Sequence, residues 1–196
     1  MKYKALILDL DGTAVAHGQL TPSRRVIQTV HQAHNHIHIC IATGRILNGS
    51  VGAKPIMDYL QLSGPCILDQ GAQIYDPVKK KIILEIPLDQ SVIQPIYKIM
   101  STYHLRINYF NWEEDLVYDS AKSKGKIISL FAIDFDNSII TELVDTLQKI
   151  PQVAVHRIVG SEPHLASIEI TNASATKQHG IAAVAKILGL QTLPEG

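Results

Sequence analysis

Asp9-Leu10-Asp11-Gly12-Thr13 sets two carboxylates two residues apart at the end of an apolar run. Side chains alternate along an extended chain, so Asp9 and Asp11 project to one side wherever extension continues. Two carboxylates that close do not both stay ionised cheaply, and the pair points either to a divalent cation or to one shared proton. The plain alternative is a turn, since Asp-Gly is a common turn dipeptide. A second polar cluster, Ala42-Thr43-Gly44-Arg45, also ends an apolar run. The Thr43 hydroxyl and the backbone amides at Gly44 suit a phosphate oxygen. The competing reading there is a strand-ending turn with a solvated arginine. Lys177 opens the last predicted helix, where a cation opposes the helix dipole and is slightly unfavourable without an anionic partner. That placement suggests an anion, against the usual fate of a surface lysine, which is hydration. His31, His34, His36 and His38 invite a metal site, but they straddle a helix end and a strand start, share no face, and read as solvated positions.

Groups so far apart in sequence need a scaffold that gathers segment ends. Lys4 to Asp9 is a continuous apolar run punctuated by Gly12, the pattern of a parallel strand buried on both faces. Thr21-Pro22 supplies an N-cap and a first-turn proline for a helix whose stripe is Val26, Ile27, Val30 and Ala33. Residues 37–42 form a second strand, 55–60 a short helix and 65–68 a third strand. This alternation implies right-handed crossovers and a parallel sheet. Such sheets place their ligand crevice at the carboxyl ends of the strands, where both polar clusters fall.

The pattern changes near Gly71. Residues 72–75 and 82–86 flank Asp76-Pro77 as a hairpin. A helix over 91–103, strands over 105–110, 116–118 and 126–134, a helix over 138–150 and strands over 153–158 and 166–171 follow. That run describes an antiparallel α+β module with two helices on one face. A helix over 176–188, closed by Gly189, then resumes the first pattern. Tyr109, Trp112 and Tyr118 on the module's strands read as packing before they read as a sugar or base pocket.

The 196 residues allow one α/β domain carrying an inserted module. With 46% hydrophobic and 18% charged residues the chain has material for a buried core. A formal net charge of zero gives no general field for nucleic acid or anionic lipid. The first apolar run is too short and too acidic for a signal peptide or a membrane span, so the expected address is the cytoplasm. Cys40 and Cys66 lie within apolar runs and read as small buried hydrophobes in a reducing compartment.

Taken together, Asp9-Leu-Asp-Gly-Thr13, Ala42-Thr-Gly-Arg45 and Lys177 after a long insertion resemble the haloacid dehalogenase superfamily of phosphohydrolases, in its Cof-like subgroup. The resemblance covers essentially the whole chain. It implies a Rossmann-like α/β core formed by residues 1–78 and 172–196, with residues 79–171 as an inserted α+β cap. By the same resemblance Asp9 is the nucleophile that forms an aspartyl-phosphate, and Asp11 is the acid and then the base. Thr43, Gly44 and Lys177 position the phosphate, and Mg²⁺ is held by the Asp9 carboxylate and the Asp11 main-chain carbonyl. The implied substrate is a small phosphorylated metabolite. The family often has asparagine where Gln70 stands. It also carries a Gly-Asp-x-x-x-Asp type motif on a fourth strand after the last helix, and nothing up to Gly196 fills that role. The expectation is therefore a core truncated at its C-terminal end, with impaired activity and self-association through an exposed edge of the first strand. The alternative is a catalytically silent phosphate-binding or interaction protein of the same fold.

Overall fold

The computed structural model describes residues 3–16, 19–49, 51–111, 115–119 and 125–190, so the segment on which the expected truncation rests lies outside the described residues. The chain divides into two compact units, Met1–Glu85 with Ala175–Gly196 and Ile86–Ser174. The fold is the expected one: α/β, with a parallel core and an inserted α+β unit.

In the first unit β1 (Ala5–Leu8) pairs in parallel with β2 (His38–Ile41), and α1 (Arg24–Ala33) connects them. Then α2 (Lys54–Leu60) leads to β3 (Cys66–Leu68). A parallel bridge between Ala42 and Ile67 ties β3 to the end of β2, and the Thr43 N–H donates to the Ile67 carbonyl at 3.0 Å. β3 continues antiparallel into β4 (Gln73–Asp76) and β5 (Lys81–Glu85), and the last helix is α5 (Lys177–Ile187). Because β5 pairs with β4, the first unit runs on to Glu85, and residues 78–79 fall inside the hairpin turn.

The continuous apolar character of β2 has a direct cause. Ile39 and Ile41 pack with Val30, Ile56, Leu60 and Leu68, while Cys40 and Ala42 pack with Ile67, Ile74 and Val184. Both faces are buried, as in a central parallel strand. Burial also pushes the Cys40 thiol up to about 11 and the Cys66 thiol higher still, so both behave as apolar side chains. β1 departs from expectation. It is just as apolar, yet Leu6 is 41% exposed, and among the described residues β1 pairs with β2 alone.

Two local readings need correction. Ser23, not Thr21, caps α1 and accepts from the Val26 N–H at 3.3 Å, which leaves Pro22 just outside the helix. His31 and His34 are not merely hydrated. Their Nε2 atoms donate to the carbonyls of Tyr59 and Leu60 at 3.1 and 3.2 Å, satisfying the end of α2 and locking α1 to it.

The second unit is a five-stranded antiparallel sheet of β6 (Asn108–Phe110), β7 (Asp115–Val117), β8 (Ser129–Asp136), β9 (Val153–Val159) and β10 (Leu165–Asn172). Its order is β7-β6-β8-β10-β9. Helices α3 (Gln90–Thr102) and α4 (Ile140–Leu147) cover the face that carries Leu130, Ala132, Ile168 and Ile170. Tyr118 packs on Tyr97 and edge-on to Tyr109, with centroids 5.1 and 6.0 Å apart, so these aromatics are core; Trp112 lies outside the described residues. Among the described residues no helix is long and apolar enough to cross a membrane.

Candidate active site

The end of β1 turns sharply. The Leu10 carbonyl accepts from the N–H groups of Thr13, Ala14 and Val15 at 2.9–3.1 Å, and Gly12 takes the left-handed backbone this closure needs, with φ of 76°. Extension therefore ends at Leu10, and the two carboxylates meet different partners. Asp9 Oδ1 accepts from Lys177 Nζ at 2.9 Å. Asp11 is gripped in bidentate fashion by Arg45, with Nε to Oδ2 at 2.8 Å and Nη2 to Oδ1 at 2.6 Å. Each carboxylate is thus paired with a cation of the chain's own.

Arg45 is the residue that sequence reasoning missed. It is 8% exposed rather than solvated, and it also donates to the main-chain carbonyls of Gln19 and Val51 at 3.0 and 3.2 Å. Its planar fork matches a carboxylate as no lysine would. The available signal was its place beside Thr43 and Gly44, in a cluster already expected to meet the Asp9-Asp11 turn. Thr43 is buried and its Oγ accepts from the Arg45 N–H at 3.1 Å, which folds the loop on itself and leaves the hydroxyl proton to donate. Gly44 lies between them.

Lys177 is the first residue of α5, whose N-cap Thr176 accepts from the His179 N–H at 3.1 Å. The anionic partner that its placement demanded is Asp9. Both side chains are near 40% exposed, so solvent weakens their attraction and an incoming anion exchanges for it at little cost. The helix start adds its own partial positive charge there.

Magnesium needs hard oxygen donors and keeps several waters, binding through one or two carboxylates plus phosphate oxygens. The Asp9 carboxylate and the Asp11 main-chain oxygen fit that minimal form. Among the described residues no group of three or more His, Cys, Asp or Glu side chains gathers for a metal.

The model of the haloacid dehalogenase-like hydrolase family matches residues 6–131. No curated protein matches the sequence. Among solved structures, a haloacid dehalogenase-like hydrolase from Bacteroides thetaiotaomicron is 19% identical, with a TM-score of 0.76 over 97% of this chain and 79% of that one. A subclass IIB sugar phosphatase of the superfamily is 19% identical, with a TM-score of 0.73 over 96% of this chain and 77% of its own. A haloacid dehalogenase-like hydrolase from B. subtilis is 16% identical, with a TM-score of 0.72 over 96% and 80%. At these identities the likeness is one of fold, and the family assignment rests on the sequence match, which spans well over half the chain. This chain belongs to the haloacid dehalogenase-like hydrolases.

Proposed function

We propose that the chain is a Mg²⁺-dependent phosphomonoester hydrolase of small phosphorylated metabolites, working in a reducing, cytoplasmic compartment. The observation that carries this reading is the half-exposed Asp9 carboxylate at the end of β1, held at 2.9 Å by the lysine that opens α5. A nucleophile and an anion-binding cation share one place there.

In this reading Lys177, the Thr43 hydroxyl and the Gly44 amide bind the phosphoryl oxygens, and Lys177 passes from Asp9 to the incoming phosphate. The freed Asp9 oxygen attacks phosphorus as the bond to the leaving oxygen breaks, giving an aspartyl-phosphate and an alcohol. Asp11 gives the leaving oxygen its proton, then takes one from the water that hydrolyses the acyl phosphate, restoring Asp9 and releasing inorganic phosphate. The bidentate pair with Arg45 orients the Asp11 carboxylate as the base of the second half, and Asp11 must leave Arg45 to serve as acid in the first. Magnesium, when held by the Asp9 carboxylate and the Asp11 carbonyl, supplies charge neutralisation on the transferring oxygens. A small substrate is supported by the subclass IIB sugar phosphatase among the proteins of like fold.

A second reading, a silent phosphate-binding protein, is favoured by the engagement of Asp11 with Arg45. Turnover of an aryl phosphate with and without Mg²⁺, in wild type and Asp9→Asn, decides between them. The hydrolase reading expects Mg²⁺-dependent turnover that Asp9→Asn abolishes. Phosphate binding without turnover supports the silent protein.

A further inference from the structure

Asp69, Gln70 and Gly71 follow β3 with φ of 50°, 56° and 109°, three left-handed residues in succession of which two carry side chains. Such backbone persists only where its surroundings over-determine it, and it clusters at ligand clamps. Here the Gln70 N–H donates to the Thr43 carbonyl at 3.2 Å and the Asp69 N–H to the Arg45 carbonyl at 3.0 Å. On the other side, a Cβ on Gly71 would come within 2.3 Å of the Thr176 carbonyl oxygen, one residue before Lys177. The strained loop is thus clamped between the two elements that carry Thr43, Gly44 and Lys177.

This conformation lays the Gln70 side chain over Gly44. A Cβ at position 44 would lie 2.1 Å from Gln70 Nε2 and 2.8 Å from its Cδ. Gly44 itself has an ordinary backbone outside the left-handed region, so its conformation does not demand glycine. The Gln70 amide stands where a side chain of residue 44 would stand. We propose that Gln70 is a further phosphate-binding residue, whose Nε2 supplies the donor that a glycine at 44 lacks. The proposal rests on the phosphate-site reading of Thr43, Gly44 and Lys177.

The test uses inorganic phosphate as the probe, with affinity and melting temperature measured on the full chain. Gln70→Gly relieves the left-handed strain and removes the donor, so it should melt higher than wild type while its phosphate dissociation constant rises about tenfold. A merely structural role would not move stability and affinity in opposite directions. Gly44→Ala adds a methyl that evicts the flexible Gln70 amide, and it should lose affinity by a similar factor. The double variant should then be no worse than either single one. Wild-type affinity in Gln70→Gly, or losses that multiply in the double variant, would overturn the assignment while leaving the phosphate site standing. A wild-type chain that binds no phosphate overturns the site reading and this proposal with it.

Discussion

Asp9 and Asp11 were visible in the sequence as a reactive pair; the way their charges are settled was not. The sequence offers a cation or a shared proton, because spacing within one strand is all it reports. The structure brings Lys177 and Arg45 from distant segments, one to each carboxylate. Arg45 looked like a solvated turn residue since nothing local reveals that Asp11, Gln19 and Val51 close around it. Replacing it tests how much that closure contributes. Arg45→Lys keeps the charge but loses the fork and at least one main-chain contact, so it should destabilise the fold by about 2 kcal/mol. Denaturant unfolding monitors this, and a change within experimental error would show that the lysine re-forms the network. Turnover should fall as well, since Asp11 loses the partner that orients it.

Element by element, strand and helix types were legible wherever one face had a clear period. Boundaries were not, because they depend on caps. Asp89, Asp136 and Asp76 show this: Asp89 and Asp136 accept from the N–H groups of Ser91 and Ser138, and Asp76 from those of Val78 and Lys79 in the β4–β5 turn. Hydrogen bonds to the Ser91 hydroxyl and N–H hold the Asp89 carboxyl below its usual range, and Ser138 does the same for Asp136. For Asp76 the Lys79 N–H is the main cause. A carboxyl whose value is lowered by folding stabilises the native state fully above its unfolded value, near pH 4, and loses that contribution as pH falls through the lowered folded value. Stability should therefore drop with acid below about pH 4. In Asp76→Asn that acid-dependent drop should be shallower, as melting temperature against pH will reveal. An unchanged slope would assign the acid sensitivity to other groups.

At the scale of the molecule, the change of pattern near Gly71 announces two units, and the expected boundary at residues 78–79 falls inside the turn of the hairpin beside it. The reason is physical. A hairpin is compatible with either sheet, and only the pairing of β5 with β4, itself joined to β3, decides. The second unit has a core of its own, built by α3 and α4 on β8 and β10, and it is one continuous stretch of chain. Residues 86–174 alone should therefore fold with a cooperative thermal transition, which circular dichroism would detect, whereas residues 1–85 without α5 should not, since Val184 completes one of their two cores. Melting of the 86–174 fragment without cooperativity would mean that its core is borrowed.

The central claim is that Asp9 becomes phosphorylated. Asp11→Asn gives the sharpest view of it. With an aryl phosphate the leaving group departs without a proton, so the first half-reaction survives the loss of the acid, whereas hydrolysis of the intermediate loses its base. Acid-quenched Asp11→Asn incubated with an aryl phosphate and Mg²⁺ should carry one phosphoryl group on the peptide that contains Asp9, found by mass spectrometry and absent from Asp9→Asn. A phosphoryl group on any other residue, or steady turnover by the wild type with no label on Asp9 in Asp11→Asn, would contradict the account.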